Sequence, residues 1–571
     1  MKNRCGRGIL AWVLGIAVIA TANAWVAAPG DENNDALLST MQRELQRAQT
    51  SLGKLDPAPY FLSYYVHDQS VAVAFGSQGS LVTSTRGRRR SADVTMRIGA
   101  PALDNAHETN RSSAISSGTL PLEDDRDAIS HELWRLTYEE YRKASSAYLK
   151  VKTDTQVHAQ EEDTSPDFSQ EKPPSHADYT DLAPAPDQAA LETMVRRYSS
   201  YFRKYPYIYS SVVIITAAKG RLYFVSTEGN HVVAPEAGVR LAIQAETRAT
   251  DGMELMRVET FQAESLDHLP AEAEITARLE KMASDLKALR DAPLAEPFDG
   301  PALLSGRAAA VFFHEVLGHR LEGHRQRGEQ EGQTFTKKVN QQVLPEFLSV
   351  IDDPTQRMMN GVDLGGWYEY DDEGMPASRV EVIKDGILKN FLMSRMPIKN
   401  FGNSNGHGRA QVGLMPTGRQ GNLIVASSRT VKDSELRQKL IDEIKKQSKP
   451  YGLYFEDIQG GFTLTTRNLP QAFQVLPVMV WRVYADGRPD ELVRGVDIVG
   501  TPLTVLTQIE ATGDKTSVFN GICGAESGSV PVSAAAPMIL FSDIEVQKRK
   551  YGDTRPPILP PPPVDENGGA R

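Results

Sequence analysis

The sequence predicts an α+β protein, with an N-terminal α/β domain followed by a strand-rich C-terminal domain that carries a buried His-Glu helix. Three observations lead there. The chain has 571 residues, too many for one hydrophobic core, so two or more domains are expected. Helical periodicity recurs at intervals, at 35–52, 124–150, 191–205, 271–290 and 431–447. Between these stretches run segments of alternating or β-branched residues that read as strands, most densely beyond residue 340.

Taken in order, residues 1–24 read as a signal peptide. Lys2, Arg4 and Arg7 precede an apolar run over 9–20, and Ala22-Asn23-Ala24 fits a small-x-small cleavage site. The run is short for a membrane span. The mature chain is therefore expected to be periplasmic or secreted, with no stable membrane insertion after cleavage. Cys5 lies before the apolar run, where lipidation is not expected. The net charge of −10 argues against a nucleic-acid partner, which selects for a basic face.

The N-terminal domain is expected over 25–293. It opens with the helix at 35–52, a strand at 59–67 and hairpins over 70–98, with the basic run Arg86-Gly87-Arg88-Arg89-Arg90 in a turn or solvated strand. Residues 152–188 are poor in apolar side chains and rich in Asp, Glu, Pro and Ser, and read as a solvated acidic linker. Strands follow at 211–217, 220–227 and 239–250. A connector helix over 271–290 lies between Pro270 and Pro293.

The second domain is expected over 294–550. Residues 301–304 and 307–313 read as one helix entering the core, apolar almost all round. Strands are expected at 348–352, 363–370, 378–384 and 387–392, with Asp385-Gly386 as a hairpin turn. A Gly-Asn-His loop covers 403–408, and strands return at 451–467 and 473–485. Residues 551–571, rich in Pro and Gly, read as a disordered tail.

The chemistry concentrates at His314-Glu315-Val316-Leu317-Gly318-His319. In a regular helix, i and i+4 lie about 40° apart around the axis, but i and i+5 lie about 140° apart. For His314 and His319 to share one ion, the helix has to end or bulge between them, and Gly318 sits where it can. On spacing alone, a metal site and a pair of core or surface histidines both fit. Cys523, the one cysteine left after signal removal, reads as a buried inert thiol, an intermolecular bridge or a functional thiolate, the first being the simplest.

The wider pattern narrows this. His314 to Gly323 (His-Glu-Val-Leu-Gly-His-Arg-Leu-Glu-Gly) resembles the His-Glu-x-x-x-His signature of the TldD half of the TldD/PmbA family of zinc metallopeptidases. Three downstream blocks are similar too: Tyr370-Asp371-Asp372-Glu373-Gly374-Met375-Pro376, Gly386-Ile387-Leu388-Lys389-Asn390-Phe391-Leu392, and Ile522-Cys523-Gly524 leading into Ser529-Val530-Pro531-Val532. The resemblance covers roughly residues 200–545. It implies His314, His319 and Cys523 as ligands of one zinc per chain, a set with one open position, and Glu315 as the general base. It implies extended or unfolded peptide substrates, and pairing as a homodimer or with a metal-less homologue. Secondary candidates are Glu322 as orienter of a ligand histidine, and His407 and Asp372 as substrate-facing groups. His324 fits nothing in the pattern and reads as a surface histidine. A non-catalytic member that binds peptides or partner proteins is the alternative.

Overall fold

The computed structural model describes residues 34–107, 111–157, 163–180, 186–328, 331–467 and 472–549. The expected signal peptide and Pro-rich tail lie outside these residues. Among the described residues no helix is long and apolar enough to cross a membrane.

The N-terminal half is an antiparallel sheet of long hairpins. Helix α1 (Ala36–Leu52) is capped by Asp35, whose carboxylate accepts from the Leu38 N–H. Strands β1 (Pro59–Ser77) and β2 (Ser80–Ala100) form one continuous hairpin. Its tight turn holds Gln78 and Gly79 at positive φ. Helix α2 (Arg126–Val157) and α3 (Gln188–Ser200) pack on the sheet, which continues through β3 (Ser210–Ser226), β4 (His231–Arg248) and β5 (Glu254–Ala263). The strand order is β2-β1-β3-β4-β5. Two expected strands at 211–217 and 220–227 are thus one. Strand β5 was not expected, because its polar face alternates too little apolar signal into the pattern.

Along β4, Val239, Leu241, Ile243 and Ala245 point into a core shared with Ile275, Leu279 and Leu286 of helix α4 (Glu272–Asp291). The opposite face of β4 and β5 remains polar, and it faces the C-terminal half.

Residues 152–188 are not a uniformly solvated linker. Helix α2 runs on to Val157, and Asp167, Phe168 and Ser169 are buried. Arg327 donates to Asp167 at 2.8 Å, and Arg395 donates to the Ser169 carbonyl at 2.6 Å with its guanidinium 4.0 Å from the Phe168 ring. An acidic, apolar-poor composition hid one aromatic and one carboxylate that buried arginines of the C-terminal half require.

In the C-terminal half, residues 301–304 belong to strand β6 (Phe298–Leu304), not to the helix. Ser305 separates the two: its hydroxyl accepts from the Ala308 N–H and caps α5 (Gly306–Val316). Then come β7 (Leu348–Asp352), β8 (Val380–Lys384), β9 (Asn422–Ser427), α6 (Asp433–Lys446), β10 (Gly452–Thr463), β11 (Phe473–Val483), β12 (Val496–Gly500), β13 (Ile509–Ala525) and β14 (Gly528–Lys548). The expected strand at 363–370 is mostly loop, with Val362–Asp363 in a two-residue strand and Tyr370 in an isolated bridge to Pro376. Strand β14 pairs with β12, β12 with β11, β11 with β10 and β10 with β6, and β6 pairs back onto β14. The sheet therefore closes on itself, and α5 is buried against it. Every residue from 308 to 327 is buried.

Candidate metal centre

Helix α5 stops at Val316. Leu317 leaves helical geometry at φ −109° and ψ −53°, and a 3₁₀ turn, Gly318–Leu321, carries His319. This break cancels the angular mismatch between positions i and i+5. The two rings end up with centroids 5.0 Å apart. Gly318 is needed for space and not for its φ: a Cβ there would lie 1.9 Å from Gln420 Oε1. The carbonyls freed at the helix end are taken by Arg320, fully buried, which donates to the Val316 carbonyl at 3.0 Å.

Cys523 comes from β13, far away in sequence. Its Sγ lies 3.2 Å from His314 Nε2 and 3.4 Å from His319 Nε2. Burial by itself raises a thiol pKa, but the two imidazoles overcome it and hold Cys523 well below its ordinary value. Burial likewise opposes protonation of the rings, and the sulfur reverses it, so both histidines are raised. The inert-thiol reading of Cys523 therefore does not describe its surroundings.

The three donor atoms lie within 4.8 Å of one another. A tetrahedral zinc site with bonds of about 2.3 Å to sulfur and 2.05 Å to nitrogen has S···N edges of about 3.6 Å. The observed separations sit close to that edge, so the residues fit the group.

Glu315 follows His314 on the helix and turns its Oε2 to 3.9 Å from His319 Nε2. Space for its side chain is left by Gly461, where a Cβ would come 2.9 Å from Glu315 Cγ. All four residues line a cleft of about 1330 Å³ between the polar face of β4–β5 and strands β10, β11 and β13.

Glu322 is fully buried. Its Oε1 accepts from His319 Nδ1 at 3.1 Å and its Oε2 accepts from Arg325 at 2.7 Å. Burial pushes a carboxyl up, yet His319, Arg325 and Arg419 pull Glu322 down to about 2.

Three expectations need correction. His324 is not a surface histidine: it is buried and ion-paired with Glu526. His407 does not face the cleft: it is buried between the Asn405 carbonyl, 3.0 Å from Nδ1, and Asp352, 3.3 Å from Nε2. Asp372 also lies off the cleft lining, accepting from the Tyr65 hydroxyl at 2.7 Å and the Ala410 N–H at 2.7 Å. A His or Asp in a Gly-rich loop reads the same in sequence whether it points into a cleft or serves as a buried tie.

Sequence reasoning missed Arg419. It is fully buried and donates to the Cys523 carbonyl at 2.9 Å, the Ser527 hydroxyl at 2.8 Å and the Gly528 carbonyl at 3.0 Å, while its Nε lies 3.5 Å from Glu322. It ties the strand bearing Cys523 to the carboxylate that holds His319. Nothing local marks it, since its neighbours in space are a hundred residues distant.

Comparison with known proteins finds relatives of the C-terminal half. Residues 299–548 match the family model described as the PmbA/TldA metallopeptidase C-terminal domain. A protein of Archaeoglobus fulgidus named metalloprotease is 29% identical over 239 residues, 42% of this chain and 51% of that one. A Saccharolobus solfataricus protein named zinc metalloprotease TldD homolog is 28% identical over 255 residues, 44% of this chain and 51% of that one. The matched region spans about half the length of these relatives. In fold, TldE from Thermococcus kodakarensis superposes with a TM-score of 0.56 at 13% identity, over 89% of this chain and all of that one. The domain that carries α5 and Cys523 is thus similar to the C-terminal domain of the PmbA/TldD metallopeptidases.

Proposed function

We propose that the protein is a zinc-dependent peptidase acting on extended or unfolded peptides. One observation carries this reading: two imidazoles and a thiolate converge on the wall of a cleft, with the Glu315 carboxylate beside them. His314, His319 and Cys523 would hold the ion. Zinc in such a set supplies Lewis acidity toward a peptide carbonyl and a water acidic enough to attack near neutral pH.

The chain's own groups do the rest. Glu315 takes the proton of the attacking water on its carboxylate and delivers it to the leaving amide nitrogen. Glu322 accepts from His319 Nδ1–H, which leaves Nε2 facing Cys523. Arg325 and Arg419 keep Glu322 ionised so that it goes on doing so. The cleft walls, formed by sheet faces and an edge strand, suit an extended peptide.

The segment 1–24 supports export to the periplasm or beyond. The likeness to a TldE fold supports pairing, either of two copies or with a metal-less homologue.

Metal analysis with peptidase assays tests this. About one zinc per chain is expected, lost or weakened in Cys523→Ala, with no turnover in Glu315→Ala. Full activity in Glu315→Ala would overturn the mechanism. Peptide binding with no hydrolysis by the zinc-loaded wild type would favour the non-catalytic alternative.

A further inference from the structure

Six arginines line the cleft, and five of them have carboxylate partners. Arg248 pairs with Glu254 at 2.8 Å, Arg307 with Asp457 at 3.1 Å, Arg325 with Glu322 at 2.7 Å, Arg494 with Asp251 at 3.0 Å and Arg549 with Asp497 at 2.6 Å. Arg240, on β4, is the exception. Among the described residues its one polar contact is the Gln262 amide oxygen at 3.5 Å, across the strand pair. Burial with no neighbouring anion lowers its pKa. A half-buried guanidinium on a cleft wall without a carboxylate is a costly arrangement unless an anion arrives from outside.

Its place along the cleft follows from its neighbours. Gln262 packs against Gly365, where a Cβ would lie 2.9 Å from Gln262 Oε1, and the Gly365 N–H donates to Asn520 Oδ1 at 3.1 Å. On the same strand as Gln262, the Thr260 hydroxyl donates to the Asn520 carbonyl at 3.3 Å. From Asn520 to Cys523 is three residues of extended strand, about 10 Å. Arg240 therefore stands on the cleft wall beside the strand that leads from Asn520 to Cys523.

We propose that Arg240 is a carboxylate-recognition group that makes the cleft select peptides bearing an acidic side chain or a free C-terminal carboxylate at one fixed register from the bond cleaved. This rests on the peptidase reading. Charge-assisted, fork-shaped hydrogen bonding to a carboxylate is what an unpaired guanidinium offers and a glutamine cannot match.

The test uses the full chain loaded with zinc, as Glu315→Gln so that peptide persists, and fluorescence anisotropy with labelled hexapeptides. One set moves a single Glu or Gln through every position of a neutral sequence; the other compares free and amidated C-termini. The expected result is one register at which the carboxylate peptide binds about tenfold tighter than its neutral twin. Arg240→Gln removes that difference while leaving the neutral peptide's affinity unchanged, which also certifies the fold, and Arg240→Lys keeps part of it. Which set shows the difference distinguishes a side-chain from a terminal carboxylate. No preference in the parent protein, or one that survives Arg240→Gln, overturns the inference. If no peptide binds and the wild type cleaves none, the peptidase reading fails and takes this inference with it.

Discussion

Two fully buried glutamates, one in each half of the molecule, show how differently two buried sites treat charge. Glu140 is on the buried face of helix α2 in the N-terminal half, and Glu322 lies behind the donor cluster. Burial pushes both upward. At Glu140 the Ser116 hydroxyl at 2.6 Å and Lys143 at 3.8 Å oppose it weakly, and the carboxyl rises to about 8. At Glu322 a histidine and two arginines overcome it, and the carboxyl falls to about 2. Burial is common to both, so partners decide the sign. Glu140 is a neutralised acid in a half that elsewhere buries paired charges, Arg97 with Asp104 and Arg90 with Asp68 among them. The C-terminal half buries a lattice of charges, among them Arg320, Arg395, Arg419 and Glu322, and it uses them to fix a site.

The comparison can be broken most forcefully at Glu322. Glu322→Ala removes the one buried carboxylate shared by His319, Arg325 and Arg419, and a loss of about 3–5 kcal/mol is expected in denaturant unfolding, with weaker zinc retention. A loss under about 1 kcal/mol would mean the lattice is not what holds this half.

Next is Gly318→Ala, expected to lose about 1–3 kcal/mol because the new methyl meets the Gln420 amide. Adding Gln420→Ala to that variant should restore part of the loss; failure to do so points to backbone strain at residue 318 instead.

Glu140→Gln should act in the opposite direction. A folded pKa near 8 against an ordinary value of 4.5 means the wild type gives up stability as pH rises from about 4.5 through 8. The variant does not titrate, so its thermal midpoint should match the wild type near pH 5. A shift of that size corresponds to several kcal/mol, so by pH 8.5 the variant should exceed it by the equivalent of at least about 2 kcal/mol. An equal gain at both pH values would show that the effect is packing rather than ionisation.

The smallest effect is expected at the surface pair Arg135–Glu139, 2.7 Å apart with both side chains well exposed. Arg135→Ala should change stability by less than about 0.5 kcal/mol. A larger change would mean α2 depends on charge as the C-terminal half does.

Much of the fold was legible locally. Helices α1, α4 and α6 begin and end within a few residues of their expected limits, because caps, prolines and apolar spacing are local signals. The Asp385-Gly386 turn was legible because both residues adopt positive φ, at 47° and 78°. Residues 301–304 were misread because a short apolar run next to an alanine-rich helix carries no period of its own, and Ser305 alone marks the junction. At the site, His314, Glu315, His319 and Glu322 were legible from one contiguous motif. Arg240 and Arg419 were not, since an arginine's significance lies in which partners it has or lacks across the fold.

By itself, then, the sequence determined most of the helices and many of the strands, and that two histidines five apart need a broken helix to meet. The tertiary structure alone decided that Gln420 fills the space Gly318 leaves. It decided that Cys523 reaches the histidines across more than two hundred residues, and that His407 and Asp372 serve as ties away from the cleft. Local propensities act over a few residues of chain. Burial, desolvation and ion pairing act over a few ångströms of space, and only the closed sheet brings distant residues within that range.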